Sequence, residues 1–252
     1  MRASQLGALA ADDYAVLGAS TVTNTGSSVL NGNLGLYPGT SISGFPPGIV
    51  NGTTDVANAA AEQGQTDATA AFIYLSGLAV TKSLTGEDLG NLTLTPGVYF
   101  YSSSAELTGP LTLNFEGLSD QNIVFQIGST LTTASASSVI IEGAGMDDNV
   151  YWEVGSSATL GTTTSFIGDI IADESITLDT GATIACGDAI ALNGAVTLDD
   201  NTISTCAGGT GGVGGTGTTG GVVSTTPEPG TFPLLATGIL GVAGAMRRRL
   251  SA

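Results

Sequence analysis

The chain runs to 252 residues with a net charge of −17 and no histidine, and only 11% of it is charged, against about 25% in an ordinary globular chain. Lys82 is the only basic residue between Ala3 and Met246, so no basic stripe exists to displace counterions from a phosphate backbone, and no nucleic-acid partner is expected. The lack of histidine removes the commonest general base and transition-metal ligand and rules out Ser-His and Cys-His triads.

Residues 1–11 read either as the remnant of an export signal or as a disordered end. Ala8-Leu9-Ala10 before Ala11 has the small-residue form of a cleavage site, but the charged and apolar parts ahead of it are short. The folded part is expected over 12–206. Within it, VTNTGSSVLNGNLGL (Val22 to Leu36) resembles a ladder that recurs later, with Val22 matched to Leu160 and Gly32-Asn33-Leu34 matched to Gly168-Asp169-Ile170. Residues 16–47 should therefore form the first coils, closed by the turn-rich GFPPG at Gly44 to Gly48. Residues 54–78 are rich in Ala with Glu and Gln and lack Pro, which predicts one long helix opening on a Thr or Asp cap. Val56, Ala59, Ala60, Gln63, Ala70, Ile73 and Tyr74 fall near one face of it. A lone helix of that length does not stand in water, so it should lie along one wall of the coil and leave the others open.

Between Thr85 and Ile141, LTL at Leu92 to Leu94 recurs 19 residues on at Leu111 to Leu113, and Leu131 follows 18 residues after that. From Asn149 to Ser204 one unit is written three times, as ATLGTTTSF, ITLDTGATI and VTLDDNTI, with Leu160, Leu178 and Leu198 spaced by 18 and 20. A second motif recurs with it, IGDIIA and CGDAIA, with Gly168 and Gly187 spaced by 19. The one long step, Leu131 to Leu160, contains EGAGMDDNV (Glu142 to Val150) as a loop insertion. A fixed period near 19 with β-branched residues and Gly, Asn or Asp turns in each copy predicts a mainly β solenoid, three short strands per turn making a triangular coil. Leu, Ile and Val should point inward and Thr, Ser and Asn outward.

Cys186 and Cys206 lie 20 residues apart, about one turn. Neighbouring turns are ~4.8 Å apart and a disulfide needs Cα atoms ~4.4–6.8 Å apart. A bridge fastening the last turn is thus geometrically natural, the alternative being two buried thiols. The carboxylate pairs Asp147-Asp148 and Asp199-Asp200 are adjacent in sequence, so within a strand their members would point to opposite faces. With Lys82 as the only available base, no catalytic residues are assigned and the chain is read as a non-enzyme. No D-x-D-G-x-D repeat is present for calcium, and neither metal nor cofactor is expected.

Ala207 to Thr226 is Gly/Thr low complexity, read as a spacer. Pro227-Glu228-Pro229, an apolar run over 231–246 and Arg247-Arg248-Arg249 follow. The run is shorter than the ~20 residues that span a bilayer comfortably, and the arginines would stay cytoplasmic.

Two resemblances follow. The tail TPEPGTFPLLATGILGVAGAMRRRL (227–252 in the main) resembles the PEP-CTERM sorting signal of exported bacterial proteins, with Thr226 where Val is more usual. That implies export, processing by an exosortase near Pro227, Glu228 and Pro229, transient inner-membrane association through 231–246, and a cell-surface or extracellular destination. The body resembles the DUF3494 family of ice-binding proteins in YAVLGASTVTNTG, NGNLGLYPGTSISGFPPG, TGEDLGNLTLTPGVY, FQIGSTLTTASASSV, VGSSATLGTTTSFIG and SITLDTGATI. The resemblance implies a discontinuous triangular β-helix with one long α-helix beside it, and a monomer that adsorbs to an ice crystal surface, inhibiting growth and recrystallisation. The outer positions assigned to ice are Thr23, Thr25, Thr133, Ser135, Thr162, Ser165, Thr180, Thr183 and Thr202; Thr180 to Thr183 reads T-G-A-T, a pattern described for some members. The alternative is an adhesive surface or biofilm-matrix protein on the same scaffold. Asp179, Asp199 and Asp200 would count against a clean ice face if they pointed to it.

Overall fold

The computed structural model describes residues 13–206. Their strands are short, from two to six residues, and lie in three parallel sheets of nine, seven and eight strands. A turn of chain gives one strand to each sheet in a fixed order. Asn149–Val154 lies in sheet A, Ala158–Leu160 in sheet B and Ser165–Phe166 in sheet C, before Asp169–Ala172 returns to sheet A one level up. The three sheets are the walls of a solenoid. Corners fall where the backbone turns left-handed, as at Gly168, Gly181 and Asp200.

The interior is built of stacked columns. On sheet B, Leu131, Ala158, Ile176, Val196 and Val22 are register partners, all buried. On sheet A, Tyr99, Phe125 and Trp152 are register partners, with ring centroids 5.7 and 3.9 Å apart. Trp152 also donates its indole N–H to the Ile167 carbonyl at 3.1 Å. Each fully buried large apolar side chain contributes ~1.5–3 kcal/mol, so the columns hold successive turns in register.

The turns do not stack in chain order. Tyr14–Gly18 pairs with Ala189–Ala191 on one side and with Asn33–Leu36 on the other, and Thr21–Thr25 pairs with Val196–Asp199. The first turn therefore lies between the last turn and the second. The chain reaches the far end through the helix, caps that end with Lys82–Ser83 and Thr93–Leu94, and winds back until the last turn meets the first.

Several sequence expectations need correction. Val22 stands in the column of Ala158, whereas Leu160 shares its column with Leu178 and Thr133. The match of Leu34 to Ile170 holds through Val16 and Ala189. The repeat near Leu94 and Leu113 lies in sheet C, not in the sheet B column of Leu131. Along sheet B the early turns are long, Ala105 pairing with Leu131 and Leu131 with Ala158. Their extra residues form two loops, 115–121 and 143–148, stacked on each other by Gly117 N to Gly143 O and Asp120 N to Met146 O, at 2.8 and 2.9 Å.

The helix runs Ala59–Ser76 rather than 54–78, because Thr54–Val56 is already a strand of sheet A. Asn58 is the cap, its Oδ1 accepting from Ala61 N at 3.0 Å. The buried stripe is Ala61, Gly64, Gln65, Ala68, Ala71 and Leu75, rotated from the expected one, and Ile73 is 65% exposed. Small residues on the stripe let the helix approach sheet A closely: a Cβ at Gly64 would lie 2.9 Å from the Tyr14 ring. Two amides join them. Gln65 Nε2 donates to the carbonyls of Gly18 and Ala191 at 3.0 and 3.1 Å, and Gln126 Nε2 donates to Leu75 O and Leu78 O at 2.7 and 3.0 Å. Cys186 and Cys206 form a disulfide with Cα atoms 4.5 Å apart. Residues 1–11 and the spacer and sorting segment from 207 on lie outside the described residues.

Candidate functional site

Among the described residues sheet A is covered by the helix, which leaves the outer faces of sheets B and C. Alternation along a strand fixes what each face shows. In sheet B the residue between the two inward aliphatics of each turn points out. In register these are Glu106, Thr132, Thr159, Thr177, Thr197, Thr23 and Ser43. Five consecutive turns thus carry threonine in one straight row, at the ~4.8 Å spacing of paired strands. Thr23 donates to Thr197 at 3.4 Å. Thr132 and Thr197 are exposed, and Thr23, Thr159 and Thr177 half-exposed.

A parallel row lies two residues earlier: Ser104, Thr130, Ser157, Ser175, Ala195 and Thr21. Several of its hydroxyls serve the fold. Thr130 donates to Ser104 at 2.8 Å, and Ser157 and Ser175 accept from the backbone of the next turn, Ser175 N at 3.3 Å and Ala195 N at 3.1 Å. The row two residues later passes Thr25 and Asp199, paired in register, then Asp179, Gly161 and Ala134 toward the edge with sheet C. Asp199 accepts from the Thr180 hydroxyl, and Asp200 accepts from Ser27 N at 2.6 Å. These carboxylates therefore border the threonine row rather than interrupt it. Asp88 lies at the end of the sheet. Burial would raise its pKa, but bonds from the Thr108 hydroxyl and the Gly90 and Thr108 amides hold it below the ordinary carboxylate value.

Sheet C is less uniform. One outward row reads Val29, Thr202, Thr183, Ser165, Ser138 and Pro110. Its neighbour carries Asn31, Ser204, Ala185, Ile167 and Ile140, with Ile140 42% exposed. Branched aliphatics, asparagine and proline break the pattern there.

The nine positions assigned from sequence scatter over this geometry. Thr23 and Thr25 lie on sheet B; Ser165, Thr183 and Thr202 form one contiguous row on sheet C; Ser135, Thr162 and Thr180 sit at the corner between the two. Thr133 is withdrawn from the set: it is 3% exposed and points inward, bonded to Thr164 Oγ1 at 2.8 Å and to Gly161 N at 2.9 Å. Sequence reasoning did not single out Thr132, Thr159, Thr177 and Thr197, which are register partners on sheet B. Their signal was present in ATL, ITL and VTL: where the flanking aliphatics point inward, the middle threonine must point out.

Away from these rows, carboxylates serve the fold: Asp55 accepts from the Tyr14 and Thr53 hydroxyls and the Asn58 side-chain amide, and Glu62 from the Tyr37 hydroxyl. Asp148 is fully buried and accepts from Gln121 N at 2.8 Å and Gly145 N at 2.7 Å, which fixes the 143–148 loop. Among the described residues no three His, Cys, Asp or Glu side chains converge as a metal site, and no helix is long and apolar enough to cross a membrane.

Comparison with known proteins agrees with this architecture. The chain is 49% identical over 240 residues to an ice-binding protein of Nostoc sp. (strain HG1), covering 95% of this chain and 86% of that one. It is 31% identical to ice-binding protein 1 of Shewanella frigidimarina, over 76% of this chain but 25% of that longer protein. The crystal structure of the ice-binding protein of the Antarctic ascomycete Antarctomyces psychrotrophicus superposes with a TM-score of 0.74 at 40% identity, covering 77% of this chain and 95% of that one. An ice-binding protein from an Antarctic biological consortium gives a TM-score of 0.75 at 46% identity, with coverages of 78% and 89%. The PEP-CTERM protein-sorting motif matches residues 225–249, and the ice-binding-like family profile matches 16–204. The chain belongs to the ice-binding-like family.

Proposed function

We propose that this protein adsorbs to ice through the outer face of sheet B and so inhibits ice growth and recrystallisation. The observation that carries the reading is the row Thr132, Thr159, Thr177, Thr197 and Thr23, one threonine per turn on a wall that no helix among the described residues covers. Each threonine presents a methyl and a hydroxyl on a side chain stiff at χ1, and the coil repeats them at ~4.8 Å. Methyls that water cannot bond to and hydroxyls that it can, held in a regular array, order the adjoining water into an ice-like layer that then merges with the crystal. Rigidity matters because a surface that must first be ordered weakens its own binding. No step is chemical, so no nucleophile, general base or cofactor is required. The protein acts as a monomer, is exported and processed by an exosortase at the PEP-CTERM motif, and is held in the membrane only transiently. An adhesive matrix protein would tolerate interrupted rows, and the sheet B row is continuous over five turns.

Thermal hysteresis and recrystallisation inhibition test the proposal. The chain should show both, Thr177→Tyr and Thr159→Tyr should lose most of each, and Thr183→Tyr on sheet C should keep them. No activity at high protein concentration would remove the ice reading; loss in Thr183→Tyr with retention in Thr177→Tyr would move the site to sheet C.

A further inference from the structure

We infer that attachment beyond Cys206, on the edge opposite the ice face, lets the protein bind ice while held from that end, first through the transient membrane association and then through the processed C-terminus. The inference rests on sheet B being the ice face. Every turn passes from sheet A to B to C, and the chain leaves the described domain at Cys206, after the sheet C strand Thr202–Ser204. It is first described just before Tyr14–Gly18, a sheet A strand. Both ends therefore lie on the edge between sheets C and A, and in a three-walled solenoid that edge is the one farthest from sheet B.

The two insertion loops lie there too. Loops 115–121 and 143–148 both run between a sheet C strand and a sheet A strand, whereas the corners flanking sheet B are short, 155–157 before Ala158–Leu160 and 161–164 after it. The threonine row is thus clear of chain ends and insertions.

The exit point is also fastened on both sides. Thr205 donates its N–H and its hydroxyl to Asn31 O of the adjoining first turn, at 3.2 and 3.3 Å. Cys206 is bonded to Cys186 in the preceding turn. A pull on Cys206 passes through the disulfide into the wall instead of peeling the last turn away. Forty-six residues follow, and they include the sorting motif at 225–249. An arrangement in which the free face and the held edge are opposed suits attachment of a carrier surface to ice, a use beyond inhibition of growth in solution.

The test couples the full chain to streptavidin beads in two ways: through biotin on its C-terminus, and through biotin on a Thr197→Cys variant. Beads retained by a washed ice surface are counted, with circular dichroism melts confirming that both chains are folded. C-terminally held beads should be retained at least tenfold more than Thr197-held beads. If C-terminally held beads are not retained although the free chain shapes ice, the tether inference is overturned. Equal retention of both also overturns it, and the free Thr177→Tyr variant then shows where the fault lies. Loss of ice shaping in that variant leaves the sheet B reading standing alone; retention removes the sheet B reading as well.

Discussion

Glu153 lies in the sheet A strand Asn149–Val154, on the side that faces the helix, between Gln126 and Ile171 in register. It is 6% exposed, and the only cation among the described residues, Lys82, is three strands away, ~14 Å at the usual strand spacing. Burial first, and the charge of Asp173 second, raise its pKa from 4.5 to about 7. The raised value sets the sign. Below pH 4.5 the carboxyl is neutral in both the folded and the unfolded chain and costs nothing. As pH rises the unfolded chain ionises first, so stability is lost progressively up to about pH 7 and the full cost applies above it. At about 1.36 kcal/mol per pH unit the rise from 4.5 to about 7 amounts to ~3 kcal/mol. For a domain of this size that is roughly 6–12 °C in Tm. Replacing Glu153 by Gln keeps the shape and removes the charge. Circular dichroism melts from pH 4 to 9 should give coincident Tm values for the two proteins at pH 4 and a higher Tm for Glu153→Gln above pH 7. Curves that stay parallel across the range would refute the reasoning, because the carboxylate would then be solvated or paired.

Thr133→Val leaves Gly161 N without its acceptor and should cost ~1–3 kcal/mol, read as a lower denaturation midpoint, while hysteresis per folded molecule stays unchanged. The double variant Cys186→Ser with Cys206→Ser reopens a 20-residue loop and should lose ~3 kcal/mol by the chain-entropy estimate; a reducing agent should lower the Tm of the parent to the same value and leave the variant unmoved. At Gly187 φ is +140° and a Cβ would lie 2.2 Å from Gly168 O. Gly187→Ala should therefore destabilise by more than the ~1–2 kcal/mol of a left-handed conformation alone, with faster amide exchange in 186–191.

Solenoid, wall-lying helix and the disulfide between the last two turns of chain were all legible in the sequence because each rests on local spacing. The order of turns was not. Parallel strands pair across any sequence distance, and nothing local in 14–31 marks it as lying between 189–204 and 33–50. The period misled for a related reason. Leu94, Leu113 and Leu131 continue an 18–19 residue beat, but two loops lengthen the early turns, and the beat slips from sheet C to sheet B between Leu113 and Leu131. On the helix, alanine is neutral enough to face either way. The buried stripe was chosen by close approach at Gly64 and by the amide of Gln65, neither of which a hydrophobic pattern weighs.

The proposed site was nearly legible, and the way the sequence-assigned positions depart from it is instructive. Outward threonines were sought downstream of each repeat leucine, in GTTTS and DTGAT, where threonine is densest. Density there marks a corner: Thr163 has φ of +58° and Thr164 is buried, because corners need hydroxyls to satisfy backbone groups that no ladder holds. Thr164 accordingly donates to Ala134 O at 3.2 Å. A flat row instead demands one threonine per turn between two inward aliphatics, a sparse signal repeated at the distance of the coil. Sheet B meets that demand at Thr132, Thr159, Thr177, Thr197 and Thr23, three of which lie in the repeated triplets that first revealed the solenoid. The alternation that seals the core is thus what brings the threonines into line, so a substitution that shifts a sheet B strand by one residue would turn leucines outward and lose core and threonine row together.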